Sequence, residues 1–194
     1  FDSSDQTQAC GQFEFLRQQI DQRDGVQRSL ADFIAPGQAP CDYLGCFAVA
    51  VHGIDPLADH QVAEGDDYEA ILIKAVGDRL AEALAEWLHQ KVRRETWAYA
   101  PEESLSNAAL IKEQYQGIRP APGYPACPDH LDKKQIWTLL DAENTVEATL
   151  TETLAMQPAS AVSGYYFAHP ESRYLGVGLI ADDQIQSLAR RRGI

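Results

Sequence analysis

The residues best suited to recognising a small molecule lie in one stretch rich in proline and glycine, residues 116–130. Arg119 offers a planar guanidinium fork that matches a carboxylate, and Tyr124 offers an aromatic face and a hydroxyl group. Gly123 permits a backbone conformation or a close approach that a side chain would block. An arginine in such a loop is also common as an ordinary surface residue, so composition alone leaves both interpretations open.

The backbone of this stretch is predicted to be a long, stiff and irregular loop. It holds four prolines and two glycines among fifteen residues. Because proline lacks the amide donor and fixes φ, the stretch can be neither a helix nor a paired central strand. A rigid loop loses little entropy when a ligand orders it, and its unpaired backbone groups are available for recognition.

Acidic residues and a histidine form a second set of candidates. Asp78, Glu82 and Glu86 are four residues apart in a predicted helix, so they share one face. A solvated acidic stripe, with Lys74 one turn earlier as a partial counter-charge, is the ordinary interpretation of this pattern. His130 follows in the loop, where a lone histidine usually faces solvent.

A zinc site is a further alternative that the cysteines leave open. Cys41 and Cys46 with Cys127 and His130 supply the right ligand types, but Cys46 lies in an apolar run and zinc sites favour tighter paired spacings. With Cys10 the chain has four cysteines. In a domain of this size we expect them to be free thiols in a reducing compartment.

Helical patterns recur along the chain. The strongest runs from Asp66 to about Arg94, with acidic residues in its first turn and basic residues in its last, which complements the helix dipole. Its apolar residues follow a period close to 3.6: Ile73, Val76, Leu80, Leu84, Trp87 and Leu88. The other predicted helices are 13–22, 107–116, 132–141 with a box-like cap at Asp132 and Gln135, and one capped by Asp182 or Asp183 that ends at Arg190–Arg192.

Strand patterns alternate with these helices. A buried strand is predicted at Tyr43–His52, and β-forming residues recur near the end of the chain. The remaining expected elements are a short strand at Ser29–Phe33, a turn at Pro36–Pro40, and strands at Thr149–Met156, Ala161–Phe167 and Tyr174–Ile180, the last two joined as an antiparallel hairpin. The order predicts one α+β domain with an antiparallel sheet flanked by helices.

Bulk properties exclude several classes of protein. The chain has 194 residues, enough for one domain with a real core, and a net charge of −13, which argues against nucleic acid as a partner. No apolar run approaches the length of a membrane span. The chain opens with Phe1 and lacks a signal peptide, so we expect a fragment or a processed product.

The pattern Arg119-x-x-x-Gly123-Tyr124 resembles the S-adenosylmethionine-binding signature of the activation domain of cobalamin-dependent methionine synthase. Further blocks similar to that family occur in the family's order between about residues 13 and 194. They are Leu30–Pro36, Tyr43–Val49, Asp78–Ala83, Tyr99–Pro101 and Ser163–Pro170 followed by Tyr174. Several ordered blocks are a more specific signal than one motif.

The resemblance implies a strongly bent single domain over residues 1–194. Residues 1–12 are polar, and we expect them to be frayed. The resemblance further implies that the domain binds S-adenosylmethionine and presents it for the reductive remethylation of cob(II)alamin held on a neighbouring module. The whole enzyme would be a cytoplasmic 5-methyltetrahydrofolate–homocysteine methyltransferase of methionine biosynthesis. Its partners would be the cobalamin-binding module and flavodoxin or a flavodoxin-like reductase, and the isolated chain would bind its ligand without turning it over.

The resemblance also implies a set of site residues. Arg119 would bind the carboxylate of S-adenosylmethionine, and the other ligand-binding residues would be Ala121, Gly123, Tyr124, Tyr174 and Leu175. Asp78 and Glu82 would face the ligand and the cobalamin side, and His130 would lie at the face that meets the cobalamin-binding module. We expect no catalytic residue and no metal ligand, because the chain has no nucleophile elbow, phosphate-binding loop, dinucleotide fingerprint or metalloprotease motif.

The chain departs from the family's pattern near its start. The family has an N-terminal segment with an aspartate that contacts the ligand's ammonium group, and no counterpart precedes Phe13. One alternative is therefore a non-catalytic docking module for flavodoxin or the cobalamin module, with a decayed ligand pocket. The other is an unrelated small-molecule enzyme or zinc protein.

Overall fold

A computed structural model describes residues 11–36 and 42–194 of the chain. The helices are α1 (Ile54–Ala63), α2 (Asp67–Lys91), α3 (Asn107–Ile111), α4 (Asp132–Leu140), α5 (Ala142–Thr145) and α6 (Asp182–Arg192), with a 3-10 helix at Leu30–Phe33 and a π-helical turn at Val92–Thr96. The strands are β1 (Gly45–Ala50), β2 (Thr149–Leu150), β3 (Met156–Gln157) and β4 (Ala161–Tyr166). This is the α+β architecture that the sequence predicts. No helix in these ranges is both long and apolar enough to cross a membrane.

The centre of the fold is the antiparallel pair of β1 and β4, in which Gly45 lies opposite Tyr166. The irregular segment 116–130 runs along the other edge of β4. Ile118 and Phe167 exchange two backbone hydrogen bonds of 3.0 Å, and the amide of Tyr165 donates to the carbonyl of Pro120 at 2.9 Å. Strand β4 therefore lies between β1 and the loop.

The two faces of this sheet pack against different helices. Tyr165 and Phe167 are fully buried in a core that includes Ile136 of α4. Tyr166 points the other way and stacks on Phe47, with ring centroids 4.7 Å apart, beside the small residues of α2. The alternation follows from the two-residue period of a strand, and it places α4 and α2 on opposite faces of the sheet.

Helix α2 confirms the predicted helix but buries a different face from the one its large apolar residues suggest. Val76, Leu80 and Trp87 are 56%, 51% and 55% exposed. The buried face consists of the small residues Ala70, Gly77, Ala81 and Ala85, with His89. At Gly77 a Cβ would lie 2.5 Å from Ser160 Oγ, so close backbone approach, not side-chain bulk, seats this helix.

Two predictions near the start of the chain are wrong. The helix predicted at 13–22 is extended, and Glu14, Leu16 and Gln18 are buried in a two-residue alternation. The short strand predicted at Ser29–Phe33 is the 3-10 helix, because the Ser29 hydroxyl and the Asp32 carboxylate cap each other's backbone amides. The second error shows a capping box that overrides the local β propensity.

The predicted hairpin of Ala161–Phe167 with Tyr174–Ile180 is also wrong. Strand β4 pairs with β1, and residues 174–180 form no strand. The predicted strand Thr149–Met156 survives only at its ends, as β2 and β3. The predicted turn at Pro36–Pro40 falls mostly outside the described residues, as does the prediction for residues 1–12.

The remaining helices differ from their predictions mainly at their ends. Helix α3 ends at Ile111 instead of continuing to residue 116. Helices α4 and α6 lie where they are predicted, but neither has a side-chain cap. Asp132, the predicted cap of α4, directs its carboxylate to Tyr165 and Arg192 instead.

Candidate ligand-binding site

A cleft of about 430 Å³ opens beside the loop, between α2 and the segment that follows β4. This volume lies in the range of known small-molecule sites, roughly 300–1,000 Å³. Its walls are Glu82, Glu113, Arg119, Pro120, Ala121, Tyr124, Pro125, Ala126, Val162, Tyr174, Leu175 and Gly176. The fold thus brings five of the six predicted ligand-binding residues to one cleft.

Gly123, the sixth, lies on a neighbouring cavity of about 130 Å³, which also has Glu82, Ala121 and Tyr124 in its walls. Its φ is +99°, and a Cβ at this position would collide with the ring of His130. Both observations require glycine here, the first through backbone strain and the second through space. His130 therefore packs against the loop from the side of the smaller cavity.

Hydrogen bonds hold the loop against the sheet. The amide of Gly123 donates to the carbonyl of Cys127 at 2.8 Å, and the Cys127 thiol donates to the carbonyl of Ala121 at 2.9 Å. Burial, with the nearby Asp132, raises the pKa of Cys127 to about 12, so the thiol keeps the proton that it donates. The cleft wall is therefore built by local bonds before any ligand arrives.

Arg119 is the charged centre of the cleft, with 18% of its side chain exposed. Its Nη2 donates to Glu86 Oε2 at 3.2 Å, while Nη1 lies 3.7 Å from Glu82 Oε2, beyond hydrogen-bonding distance. Burial acts to lower the pKa of Arg119, but Tyr174, Glu86 and Tyr115 more than reverse this, and the net direction is upward. Arg119 therefore stays positively charged, and its Nη1 and Nε make no hydrogen bond among the described residues.

Tyr174 lies against Arg119, although it belongs to no strand. Its hydroxyl oxygen accepts a hydrogen bond of 3.1 Å from the backbone amide of Arg119. Burial raises the pKa of Tyr174, so the hydroxyl is protonated and its own hydrogen remains available. Tyr124, in the loop, is 60% exposed and contributes an aromatic ring to the wall of the cleft.

The acidic candidates separate in the structure. Glu82 lines both cavities, whereas Asp78 lines neither and its carboxylate accepts a hydrogen bond of 3.1 Å from Ser160. Glu113 joins Glu82 in the cleft wall, and sequence reasoning missed it. It was hidden inside a predicted helix, but α3 ends before it and its φ is +53°.

Metal binding finds no support in the parts of the chain that the structure describes, since no group of three His, Cys, Asp or Glu side chains there could hold an ion. Cys46 and Cys127 are free thiols, as expected, and burial raises the pKa of both to about 12. Cys10 and Cys41 lie outside the described residues.

A family model for the activation domain of vitamin B12 dependent methionine synthase matches residues 1–193. The chain belongs to this family. A solved structure, the MetH reactivation domain bound to AdoHcy, has 49% sequence identity and a TM-score of 0.93 over 97% of the chain. The chain spans 59% of the length of that structure.

Behind the cleft of this activation domain lies a buried polar cluster that sequence reasoning did not anticipate. Arg93 is fully buried, and its Nε and Nη2 donate to Glu103 at 2.7 and 2.8 Å. His89 is also fully buried, and burial, with Arg93 and Arg119 nearby, lowers its pKa to about 2. Two adjacent arginines at the end of a long helix are expected from the sequence to interact favourably with the helix dipole at the surface. No local pattern therefore predicts that Arg93 is buried.

Proposed function

We propose that the cleft binds S-adenosylmethionine and that the domain presents it for the reductive remethylation of cob(II)alamin in methionine synthase. The observation that carries the proposal is the convergence of Arg119, Tyr174 and the backbone of the loop on one cleft of about 430 Å³. The MetH reactivation domain, which is 49% identical, is bound to AdoHcy, the ligand without its transferable methyl group.

The carboxylate of the ligand would bind Arg119. Within the described residues Nη1 makes no hydrogen bond, and Nε is buried without a partner, while Glu86 holds only Nη2. A guanidinium with unused donors matches a planar carboxylate, and charge-assisted bonds of this type are about twice as strong as neutral ones. The hydroxyl of Tyr174, fixed by the amide of Arg119, would supply a further donor to the same group.

The cationic part of the ligand would face the carboxylates of the cleft. Glu82 and Glu113 line it, and S-adenosylmethionine carries a positive sulfonium and an ammonium group. An opposite charge in a partly desolvated cleft gains more than it would in water. The contact of Glu82 with Arg119, at 3.7 Å, is long enough for the ligand to interrupt at little cost.

The adenosyl group would lie along the loop. Pro120, Ala121 and Pro125 provide an apolar wall, and Tyr124 provides an aromatic face. The loop prolines restrict the backbone before binding, so ordering it costs little entropy. Gly123 and Ala121 would contact the ligand through the backbone and not through a long side chain.

In the whole enzyme the remaining chemistry would belong to other modules. The corrin on the cobalamin-binding module would supply the methyl-accepting cobalt, and flavodoxin or a flavodoxin-like reductase would supply the electron. The residues of this chain bind and orient the methyl donor, and His130, beside the smaller cavity, would face the cobalamin module.

Isothermal titration of the chain with S-adenosylmethionine and with AdoHcy tests the proposal. We expect saturable binding of one molecule of either ligand per chain. If neither ligand binds a chain that is folded by circular dichroism, the proposal is wrong and the domain is a docking module with a decayed pocket. The docking partners can then be sought by titrating the same chain with flavodoxin and with the cobalamin-binding module.

A further inference from the structure

Charged residues of alternating sign connect the interior to the wall of the cleft. In order they are Glu103, Arg93, Glu86 and Arg119, and we call them the charge chain. Arg93 donates twice to Glu103, at 2.7 and 2.8 Å, and its Nη1 lies 3.9 Å from Glu86 Oε1. Glu86 Oε2 then accepts from Arg119 Nη2 at 3.2 Å. A ligand carboxylate on Arg119 would be the next member of this alternation.

Packing holds the inner end of the charge chain rigid. The guanidinium of Arg93 has no exposed surface and lies 4.0 Å from the centre of the Tyr115 ring. The Tyr115 hydroxyl donates to Glu86 Oε2 at 3.5 Å, so the same residue contacts two members of the chain. A long side chain fixed on several sides can orient its neighbour without losing much further entropy.

Two buried atoms of opposite charge in this cluster face each other without a hydrogen-bond partner. They are Arg93 Nη1 and Glu86 Oε1. A buried donor and acceptor that remain unpaired cost free energy, so packing stability alone gives no reason for this arrangement. The arrangement is explained if Glu86 interacts with both arginines. Its Oε1 is then attracted by Arg93, and its Oε2 accepts the hydrogen bond from Arg119.

We propose that Glu86 and Arg93 are positioning residues for recognition of the ligand's carboxylate. Arg93 holds Glu86, and Glu86 orients the guanidinium of Arg119 so that its remaining donors stay in place for a carboxylate. Neither Glu86 nor Arg93 lines the cleft. The inference rests on the proposed function, because it assumes that the ligand of the cleft carries that group.

Removing the charge of Glu86 has two opposite effects. It frees Arg119 to adopt other rotamers, which weakens binding, and it removes a negative charge near the incoming carboxylate, which strengthens binding. The first effect dominates, because Glu86 lies between two guanidiniums that already neutralise it locally. An arginine side chain that loses its anchor regains a large rotamer entropy.

The test compares ligands with and without the carboxylate on the full 194-residue chain. S-adenosylmethionine and decarboxylated S-adenosylmethionine are titrated by calorimetry into the parent, Glu86→Gln and Arg93→Met. Glutamine cannot accept hydrogen bonds on both sides, so one of its two contacts must break. The matched controls are the exposed neighbours Glu95→Gln and Arg94→Met.

We expect Glu86→Gln to weaken binding of S-adenosylmethionine about tenfold and Arg93→Met about threefold, a smaller effect because its contact with Glu86 is long. Binding of the decarboxylated ligand should change less than about twofold in both, as should binding of either ligand to the controls. A loss that only packing caused would weaken both ligands equally. The selective loss therefore identifies positioning.

Distinct outcomes overturn the two proposals. If the parent binds neither ligand, the proposed function is wrong and this inference fails with it. If the parent prefers the ligand with the carboxylate and Glu86→Gln keeps that preference or increases it, only the inference is wrong. Should Arg93→Met fail to fold, Glu86→Gln decides alone, because its side chain is 26% exposed and its substitution removes no volume.

Discussion

Two arginine–carboxylate clusters in this domain use the same residue types differently. In α6, Arg192 Nη2 forms ion pairs with Asp132 at 2.8 Å and with Asp129 at 2.9 Å. The Tyr165 hydroxyl also donates a hydrogen bond of 2.9 Å to Asp132. At the cleft, Arg119 meets one carboxylate at 3.2 Å and another at 3.7 Å.

The difference lies in how completely the carboxylates engage their arginine. The terminal cluster ties α6 to α4 and to the sheet, with both carboxylates at hydrogen-bonding distance, so its role is structural. The cleft cluster is loosely paired, because Arg119 Nη1 lies 3.7 Å from Glu82 Oε2, beyond hydrogen-bonding distance, and this donor is left for a molecule that enters the cleft. We therefore expect loose pairing beside a cleft to mark a binding site better than the presence of charged residues alone.

The largest expected effect on stability belongs to the tight cluster. Arg192→Met leaves Asp132 and Asp129 without their cation, and a buried charged group that loses its partner costs about 2–3 kcal/mol. Urea unfolding followed by circular dichroism measures the loss. The exposed Arg190→Met is the matched control and should change stability by less than about 0.5 kcal/mol. Equal losses in the two variants would remove the structural role of Arg192.

The largest expected effect on binding belongs to the loose cluster. Arg119→Ala should weaken S-adenosylmethionine binding at least about tenfold, because it removes a charge-assisted contact, without unfolding the domain. Calorimetric titration and circular dichroism on both proteins measure this. Arg79→Ala, on the exposed face of α2, serves as the control. An unchanged affinity in Arg119→Ala would contradict the assignment of Arg119 and place the ligand elsewhere.

Features that depend on neighbouring residues in sequence were predicted well. The irregular loop follows from its prolines, and it places Arg119 and Tyr124 in the wall of the cleft. The position of helix α2 in the sequence is predicted by its long helical period and its oppositely charged ends. In these segments the backbone chemistry of each residue permits few alternatives, so tertiary packing has little left to decide.

Features that depend on distant partners were not predictable. Gln18 is buried because its amide reaches the carbonyl of Gly176 at 2.9 Å, a partner 158 residues away. Strand β4 pairs with β1, across more than a hundred residues, instead of forming the local hairpin. Arg93 is interior only because Glu103 and Tyr115 meet it there. Periodicity describes one segment at a time and carries no information about such pairings.

His89 lies behind the cleft cluster, near Arg93 and Arg119, and makes the stability of this region depend on pH. Its Nε2 lies 3.2 Å from the Tyr99 hydroxyl, and its ring stacks on Tyr166 at 5.0 Å. The pKa of His89 is about 2 in the folded domain, against 6.5 as its ordinary value. The unfolded chain therefore binds a proton between these values that the folded chain does not, and stability is lost as the pH falls below about 6.5.

We expect this one group to remove about 1.4 kcal/mol per pH unit once the pH is well below 6.5, since one extra proton binds to the unfolded state. Urea unfolding of the parent and of His89→Phe between pH 7 and 5 isolates the contribution as the difference in slope. His60→Gln, at an exposed position of α1, controls for the loss of any histidine. Parallel pH profiles in the parent and in His89→Phe would mean that His89 binds protons equally in the folded and unfolded chains, so that burial does not lower its pKa.

The smallest expected effect concerns Tyr174, which belongs to the cleft but contributes no charge. Tyr174→Phe keeps the ring in the cleft wall and removes the oxygen that accepts the amide of Arg119 at 3.1 Å. A neutral hydrogen bond is worth about 0.5–1.5 kcal/mol, so affinity for S-adenosylmethionine should fall about twofold to tenfold, less than in Arg119→Ala. Titration of both variants in one buffer ranks them. Tyr43→Phe, at an exposed position outside the cleft, should bind like the parent. The reverse ranking would mean that Tyr174, and not the loosely paired Arg119, anchors the ligand, and loose pairing would then lose its value as a sign of the site.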